Sequence, residues 1–146
     1  MLKTYTHKNV RSNLPIQVDE YFVPAMDLMA DMAEKHDLII VVTSAFRMNS
    51  NHLSGAIVEP ATMSNHFVGC AVDVNFILDG EYINSKRLET DMPKIIQEFI
   101  DHVTISAIRW GGNFQKKDVV HLDNGLNVNN PALYEQKYLE YHPLTA

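Results

Sequence analysis

The stretch Cys70-Ala71-Val72-Asp73-Val74-Asn75-Phe76-Ile77 decides how the rest of the chain is read. Its β-branched and aromatic residues mark a strand. Alternation places Val72, Val74 and Phe76 on one face and Asp73 and Asn75 on the other. The first face suits a core. The second carries a carboxylate that, among apolar neighbours, is costly unless it is paired or holds a cation. Taken alone, Asp73 reads as a buried carboxylate satisfied by backbone or by an arginine.

Working outward, Leu38 to Thr43 is a β-branched run and reads as a second strand. Before it, Val18 to His36 has a helical period, with Phe22, Ala25, Met26, Met29, Ala30 and Ala33 on one stripe. Pro24 lies in its first turns, so the helix starts near Pro24 or kinks there. The methionines read as core filling. Residues 1–17 read as polar and irregular. Residues 48–65 read as a long polar loop of the kind that is usually functional or mobile.

On the other side, Asp79-Gly80 signals a turn and Glu81-Tyr82-Ile83 a hairpin arm. Ser85 to His102 reads as a helix with Leu88, Ile95, Ile96, Phe99 and Ile100 as its apolar set, and Pro93 leaves its start open. Ile105 to Trp110 and Val119 to Leu122 read as short strands. Asn130-Pro131 suits the start of a last helix, Ala132 to Tyr141. The sum is an α+β layout, a small antiparallel sheet packed with helices, in a single domain over 1–146.

Composition narrows the function. The chain has 146 residues, 46% hydrophobic and 21% charged, which is globular and not low-complexity. Lys plus Arg is 12 against 18 for Asp plus Glu, a net charge of −6, which argues against nucleic acid as a partner. The lone Cys70 excludes an internal disulfide and a Cys-rich zinc module, and reads as a small buried hydrophobe. No apolar run is long enough for membrane insertion. Met1 to Lys8 leads into no apolar segment, so the expectation is synthesis in the cytoplasm without a signal peptide. Action elsewhere then needs release or delivery.

Asp73 has company. His66 lies seven residues earlier, and Gly69 between them permits a tight turn that brings the two side chains together. His and Asp converging from a loop and a strand suit zinc. The candidate third ligand is His121, in Asp118-Val119-Val120-His121-Leu122. Asp118 and His121 fall on opposite faces of a straight strand, so Asp118 is expected on the loop entering it. There an acidic residue near a metal-bound water suits a hydrolytic general base. A surface Asp plus a core histidine is the alternative. Trp110-Gly111-Gly112 reads either as an aromatic wall beside a cleft or as a core anchor and tight turn.

These residues resemble a known family. Ser64-Asn65-His66-Phe67-Val68-Gly69-Cys70-Ala71-Val72-Asp73 is similar to the Ser-x-His-x-x-Gly-x-Ala-x-Asp signature of the zinc D,D- and L,D-peptidases of bacterial cell-wall metabolism. These include VanX/VanY-type D-alanyl-D-alanine peptidases and phage L-alanyl-D-glutamate endolysins. Trp110-Gly111-Gly112-Asn113-Phe114 looks like their Trp-Gly-Gly-x-Trp/Phe, Asp118-Val119-Val120-His121 like their Asp/Glu-x-x-His, and Ser44-Ala45-Phe46-Arg47 like their Ser-Gly-Tyr-Arg. The four stand in family order over residues 38–123.

The resemblance implies the Hedgehog-like fold and a zinc ion (Zn2+) bound by His66, Asp73 and His121. It implies Asp118 as the general base and Arg47 as the group facing the developing oxyanion. Ser64 would bind substrate or orient the His66 loop, and Trp110 would border the substrate. Two departures stand out: Asp118 where many relatives carry Glu, and Cys70 inside the signature. Among the remaining histidines, His52 in the long loop is a minor candidate for lining the cleft. His7, His36, His102 and His142 read as structural. Asp123 is a candidate support for a ligand.

The function expected is hydrolysis of peptidoglycan stem peptides by a monomer without a separate wall-binding module. The favoured cut is L-Ala–D-Glu, in a phage lysis enzyme or a delivered antibacterial effector acting at the wall. The alternatives are a D-Ala-D-Ala carboxypeptidase and, in another class, a non-catalytic zinc-containing binding module.

Overall fold

The strand around Asp73 is the centre of the sheet. In the computed structural model, which describes residues 1–49 and 63–143, it is β5, Ala71–Leu78. Its neighbours are β4 (Leu38–Ser44) and β8 (His121–Asp123), both antiparallel to it. β8 pairs on with β7 (Arg109–Trp110), and β4 pairs in parallel with β2 (Val10–Arg11). β6 (Glu81–Ile83) returns along the far end of β5 as the hairpin arm expected from Asp79-Gly80. The architecture is α+β, as the sequence indicates, with one parallel pair in an otherwise antiparallel sheet.

The core lies on the face that alternation assigns to it. Val72, Val74 and Phe76 of β5, Ile40 and Val42 of β4, and Leu122 of β8 are buried there. Helices α1 (Val23–Lys35) and α3 (Lys94–Thr104) cover them with Met26, Met29, Ala30 and Ala33, and with Ile96, Phe99, Ile100 and Val103. The Phe76 and Phe99 rings meet edge to face with centroids 5.5 Å apart. The opposite face of the sheet carries Asp73 and Asn75.

Several boundaries differ from the sequence reading. Residues 1–17 are not irregular: β1 (Leu2–Tyr5) and β3 (Ile16–Asp19) form a two-stranded antiparallel sheet. Val18 and Asp19 therefore belong to a strand, and the helix begins at Val23 with Pro24 in its first turn. Pro93 breaks the segment from Ser85 into α2 (Ser85–Thr90) and α3, because the residue before a proline avoids helical geometry. Ile105 is 81% exposed and Ala107 has φ +66°, so the β-branched run there ends a helix, and pairing starts only at Arg109. Val119 and Val120 form a turn ahead of β8. A short helix α4 (Leu126–Asn129), not anticipated, precedes α5 (Pro131–Tyr141).

α5 and β3 buttress the turn that carries His66. Tyr134 Oη donates to the Ser64 carbonyl at 2.7 Å. Asp19, fully buried, pairs with Lys137 Nζ at 2.9 Å, accepts from Tyr141 Oη, and donates its backbone N–H to the Gly69 carbonyl at 2.8 Å. No described helix is long and apolar enough to cross a membrane.

Candidate metal centre

His66 sits in a single 3-10 turn, Asn65–Val68, capped at its start by Ser64, whose Oγ accepts the His66 backbone N–H at 3.2 Å. The turn closes on Gly69 at φ +71°. A Cβ there would lie 2.5 Å from the Asp19 backbone nitrogen, so both the conformation and the space require glycine. That explains the glycine of the signature. The turn swings His66 back over β5 to Asp73, while the register of β5 with β8 places His121 directly beside Asp73.

His66, Asp73 and His121 come together, with ligand atoms all within 4.8 Å of one another. His66 Nε2 is 3.1 Å and His121 Nδ1 3.5 Å from Asp73 Oδ1. The other nitrogen of each ring is committed elsewhere. His66 Nδ1 lies 2.7 Å from the Ala45 carbonyl, and a carbonyl only accepts, so Nδ1 carries the hydrogen. His121 Nε2 lies 2.6 Å from Asp123 Oδ2 and donates to that carboxylate. In their neutral forms the two imidazoles thus aim lone pairs at a carboxylate oxygen. Three electron-rich atoms facing one another need a positive charge among them, which a proton on one ring or a metal cation supplies. Two imidazoles and one carboxylate are the donor set of many catalytic zinc sites, so the residues fit that metal.

The charges agree. Burial alone pushes the Asp73 carboxyl up, but hydrogen bonds from His121 and His66 outweigh it and hold Asp73 well below the usual carboxylate range. Burial works against a charged His121, yet the hydrogen bonds to Asp123 and Asp73 prevail and raise it to about 9. Asp123 is likewise held low, against its burial, by His121 and Arg109. The pocket favours positive charge at the point where the three side chains converge.

Arg47, half exposed, follows β4 with its backbone N–H on the His66 carbonyl at 3.2 Å. Its guanidinium is 3.3 Å from Ser44 Oγ and 3.8 Å from Asp73 Oδ2. Asp118 lies on the loop entering β8. Its backbone N–H bonds the Gly111 carbonyl at 2.9 Å, and its carbonyl accepts from the His121 N–H at 3.1 Å. The exposed Asp118 carboxylate has no hydrogen bond or ion pair among the described residues. A Cβ at Gly111 would run into the Asp118 carbonyl, and one at Gly112 into the Trp110 ring, so the Gly-Gly pair lets this loop close over Trp110. Trp110 pairs with Leu122, on the strand face opposite His121, and donates Nε1–H to the Val119 carbonyl at 2.8 Å. Ser64 is engaged as a cap. His52 lies outside the described residues.

Cys70 is fully buried, and burial pushes its thiol up to about 12, which suits the reading as a packing residue. A second group, His7, Asp31 and Glu34, lies on the surface. There the Asn9 N–H occupies His7 Nδ1 at 3.0 Å and Lys8 pairs with Glu34, so the group is satisfied as an ordinary ion-pair cluster. Sequence reasoning gave no role to Asn65, Arg109 or Asn127, which the structure places behind the histidines. Asn65 stands inside the signature, but its partner Asn127 is 62 residues away and no local pattern links them.

Fold and site together define a small α+β domain with a two-histidine, one-carboxylate group of metal-binding type. A family model described as D-alanyl-D-alanine carboxypeptidase matches residues 58–124, a segment that holds Ser64, His66, Asp73, Trp110, Asp118 and His121. This is the family that the Ser64–Asp73 signature resembles, and the match bears that resemblance out. No curated protein matches the chain at a significant level.

Proposed function

We propose that the protein is a zinc peptidase acting on the stem peptides of peptidoglycan. The observation that carries this reading is the convergence of His66 Nε2, His121 Nδ1 and an Asp73 carboxylate oxygen on one point. A zinc ion held by these three would supply Lewis acidity toward a peptide carbonyl and toward water. Asp118, with its carboxylate unengaged beside β8, takes the proton of the attacking water and returns it to the leaving amine. Arg47 hydrogen-bonds the carbonyl oxygen as negative charge grows on it.

The favoured bond is L-Ala–D-Glu. Past Asp73 the sheet face runs on toward a depression of about 700 Å³ lined by Arg11, Val41, Ile77 and Tyr82 among others. Arg47 near the site and Arg11 further along offer two cations on the face of an acidic chain. A stem peptide around that bond carries more than one carboxylate, which favours it over a D-Ala-D-Ala terminus with a single one. The D-Ala-D-Ala carboxypeptidase reading is favoured instead by the description of the matching family. A monomer working at the wall after release or delivery, as a lysis enzyme or effector, completes the proposal.

Mass spectrometry of fragments from digested sacculi tests it, because product ends name the bond. New D-Glu amino ends are expected. Free D-Ala as the only product makes the carboxypeptidase reading right. Zinc bound with no release of any peptide makes the domain a binding module.

A further inference from the structure

We propose that Asp123, Arg109, Asn127 and Asn65 form one positioning network that orients the His121 ring and anchors the turn carrying His66 from behind. The inference rests on the metallopeptidase reading and adds residues that reading does not use. The chain of contacts is unbroken. His121 Nε2–H donates to Asp123 Oδ2 at 2.6 Å, and Asp123 is 1% exposed. Arg109 grips that carboxylate with Nε at 2.7 Å and Nη2 at 2.8 Å, and the Gly125 N–H adds a third donor at 2.8 Å. Arg109 Nη2 also reaches Asn127 Oδ1 at 3.1 Å. Asn127 then locks Asn65: its backbone N–H donates to Asn65 Oδ1 at 3.0 Å, and Asn65 Nδ2 donates to Asn127 Oδ1 at 3.1 Å. Asn65 is the residue before His66 and is 2% exposed.

An imidazole can rotate about Cβ–Cγ and can carry its hydrogen on either nitrogen, so something must decide which nitrogen faces the metal with a lone pair. For His121 the decision is made by Asp123, an acceptor that takes Nε2–H and leaves Nδ1 toward Asp73. For His66 the ring is set by Ala45, and the turn that carries the ring is pinned by the Asn65–Asn127 pair. The Phe114 ring, 5.5 Å from His121 and 5.0 Å from the Arg109 guanidinium, closes the remaining side. Both ligands are thereby tied to a shared, partly buried frame, and disturbance at Asn127 reaches His121 through Arg109 and Asp123.

The test uses the zinc-loaded full chain with Asp123→Ala, Asp123→Glu, Asn127→Ala and the Asp123→Ala/Asn127→Ala double variant. Zinc affinity is read by chelator competition, and ligand geometry by the visible spectrum of the Co2+-substituted protein. Asp123→Ala should weaken zinc binding by roughly 10- to 100-fold. It should shift the Co2+ bands and, at saturating zinc, lower kcat with little change in KM. Asn127→Ala should shift the same bands less, and the double variant should fall short of the product of the two. Asp123→Glu should restore part of the affinity. Wild-type Co2+ bands and zinc affinity in both single variants, with only the thermal unfolding lowered, would make the network a scaffold and overturn the proposal. Should Asp123→Ala not fold, Asn127→Ala alone decides by the same spectrum. A wild-type chain that binds no zinc overturns the metallopeptidase reading itself, which is a different result.

Discussion

The sheet face that carries Asp73 has two unlike ends. Toward β7 it is walled. Asp123, Arg109, Asn127 and Asn65 stand behind the histidines, buried or half-buried, with their polar groups spent on one another. Behind the His66 turn, Asp19 is fully buried against Lys137 and Tyr141. Toward β2 the face is open. Asn75 is paired with Tyr82 Oη at 2.9 Å and Ser85 Oγ at 3.0 Å, but Arg11 is exposed and its guanidinium has no ion pair or hydrogen bond among the described residues. A buried charge must be matched within the protein, whereas an exposed one costs little when left to solvent. The walled end therefore fixes geometry, and the open end keeps charge available for a ligand.

The largest expected effect tests the junction of the two ends. His121→Ala removes one of the three proposed ligands, so metal analysis should find one zinc per wild-type chain and little in the variant. Hydrolysis should disappear with it. Removing zinc from the wild type with a chelator should have the same effect, reversed by adding zinc back. Full zinc retention by His121→Ala would break the assignment of that ligand.

Asp118 and Arg47 come next. Asp118→Ala should keep its metal and fold but lose about two to four orders of magnitude in kcat, the usual share of a general base. Arg47→Ala should lose roughly two to three orders, as an oxyanion donor does. A rise in KM alone would recast Arg47 as a substrate-binding residue and move it to the open end.

Asp19 probes the wall itself. Burial pushes its carboxyl up, but hydrogen bonds from Tyr141, Lys137 and the Tyr21 N–H outweigh this and hold it below its ordinary value. A carboxyl with a lowered folded pKa adds stability that is present above the unfolded value, near ~4, and lost as pH falls toward the folded one. Asp19→Asn takes the charge partner from the partly buried Lys137 ammonium and should cost about 1.5–3 kcal/mol in denaturant unfolding at neutral pH. Its stability should also fall less steeply than that of the wild type as pH drops through and below the ordinary carboxylate value, near ~4. Equal slopes would mean that Asp19 does not contribute to the acid limb.

Legibility in the sequence follows the same division. The central strand, its two faces and the α1 stripe were readable because a long apolar period reports burial directly. Asp73 and His121 stand out as ligand types in apolar segments, and His66 through the Gly69 turn and the Ser64–Asp73 signature, with the three joined as a ligand set by the family resemblance. β1 and β3 were not, since short strands with exposed residues such as Lys3 and Thr4 lack an apolar period. The wall was legible only at Asp123. Arg109, Asn65 and Asn127 are ordinary polar residues whose meaning comes from contacts across the fold, and Asn127 sits on a four-residue helix that no periodicity announces.

The smallest expected effect tests the open end. Arg11 is on β2 beside Val41, on the same face as Asn75, and lines the depression with Ile77 and Tyr82. Its guanidinium holds nothing in place among the described residues, so Arg11→Ala should change unfolding stability by no more than about 0.5 kcal/mol. If an acidic stretch of stem peptide lies along this face, the lost attraction is that of one exposed pair, about 0.2–1 kcal/mol, which raises KM by roughly 1.4- to five-fold and leaves kcat unchanged. That pair is screened by salt, so the gap between variant and wild type should narrow as ionic strength rises. Arg11→Lys should recover most of the loss, since a solvated pair needs charge more than a fork of donors. An unchanged KM at low salt would show that substrate leaves the metal centre by another route, and the openness of this end would then have no part in recognition.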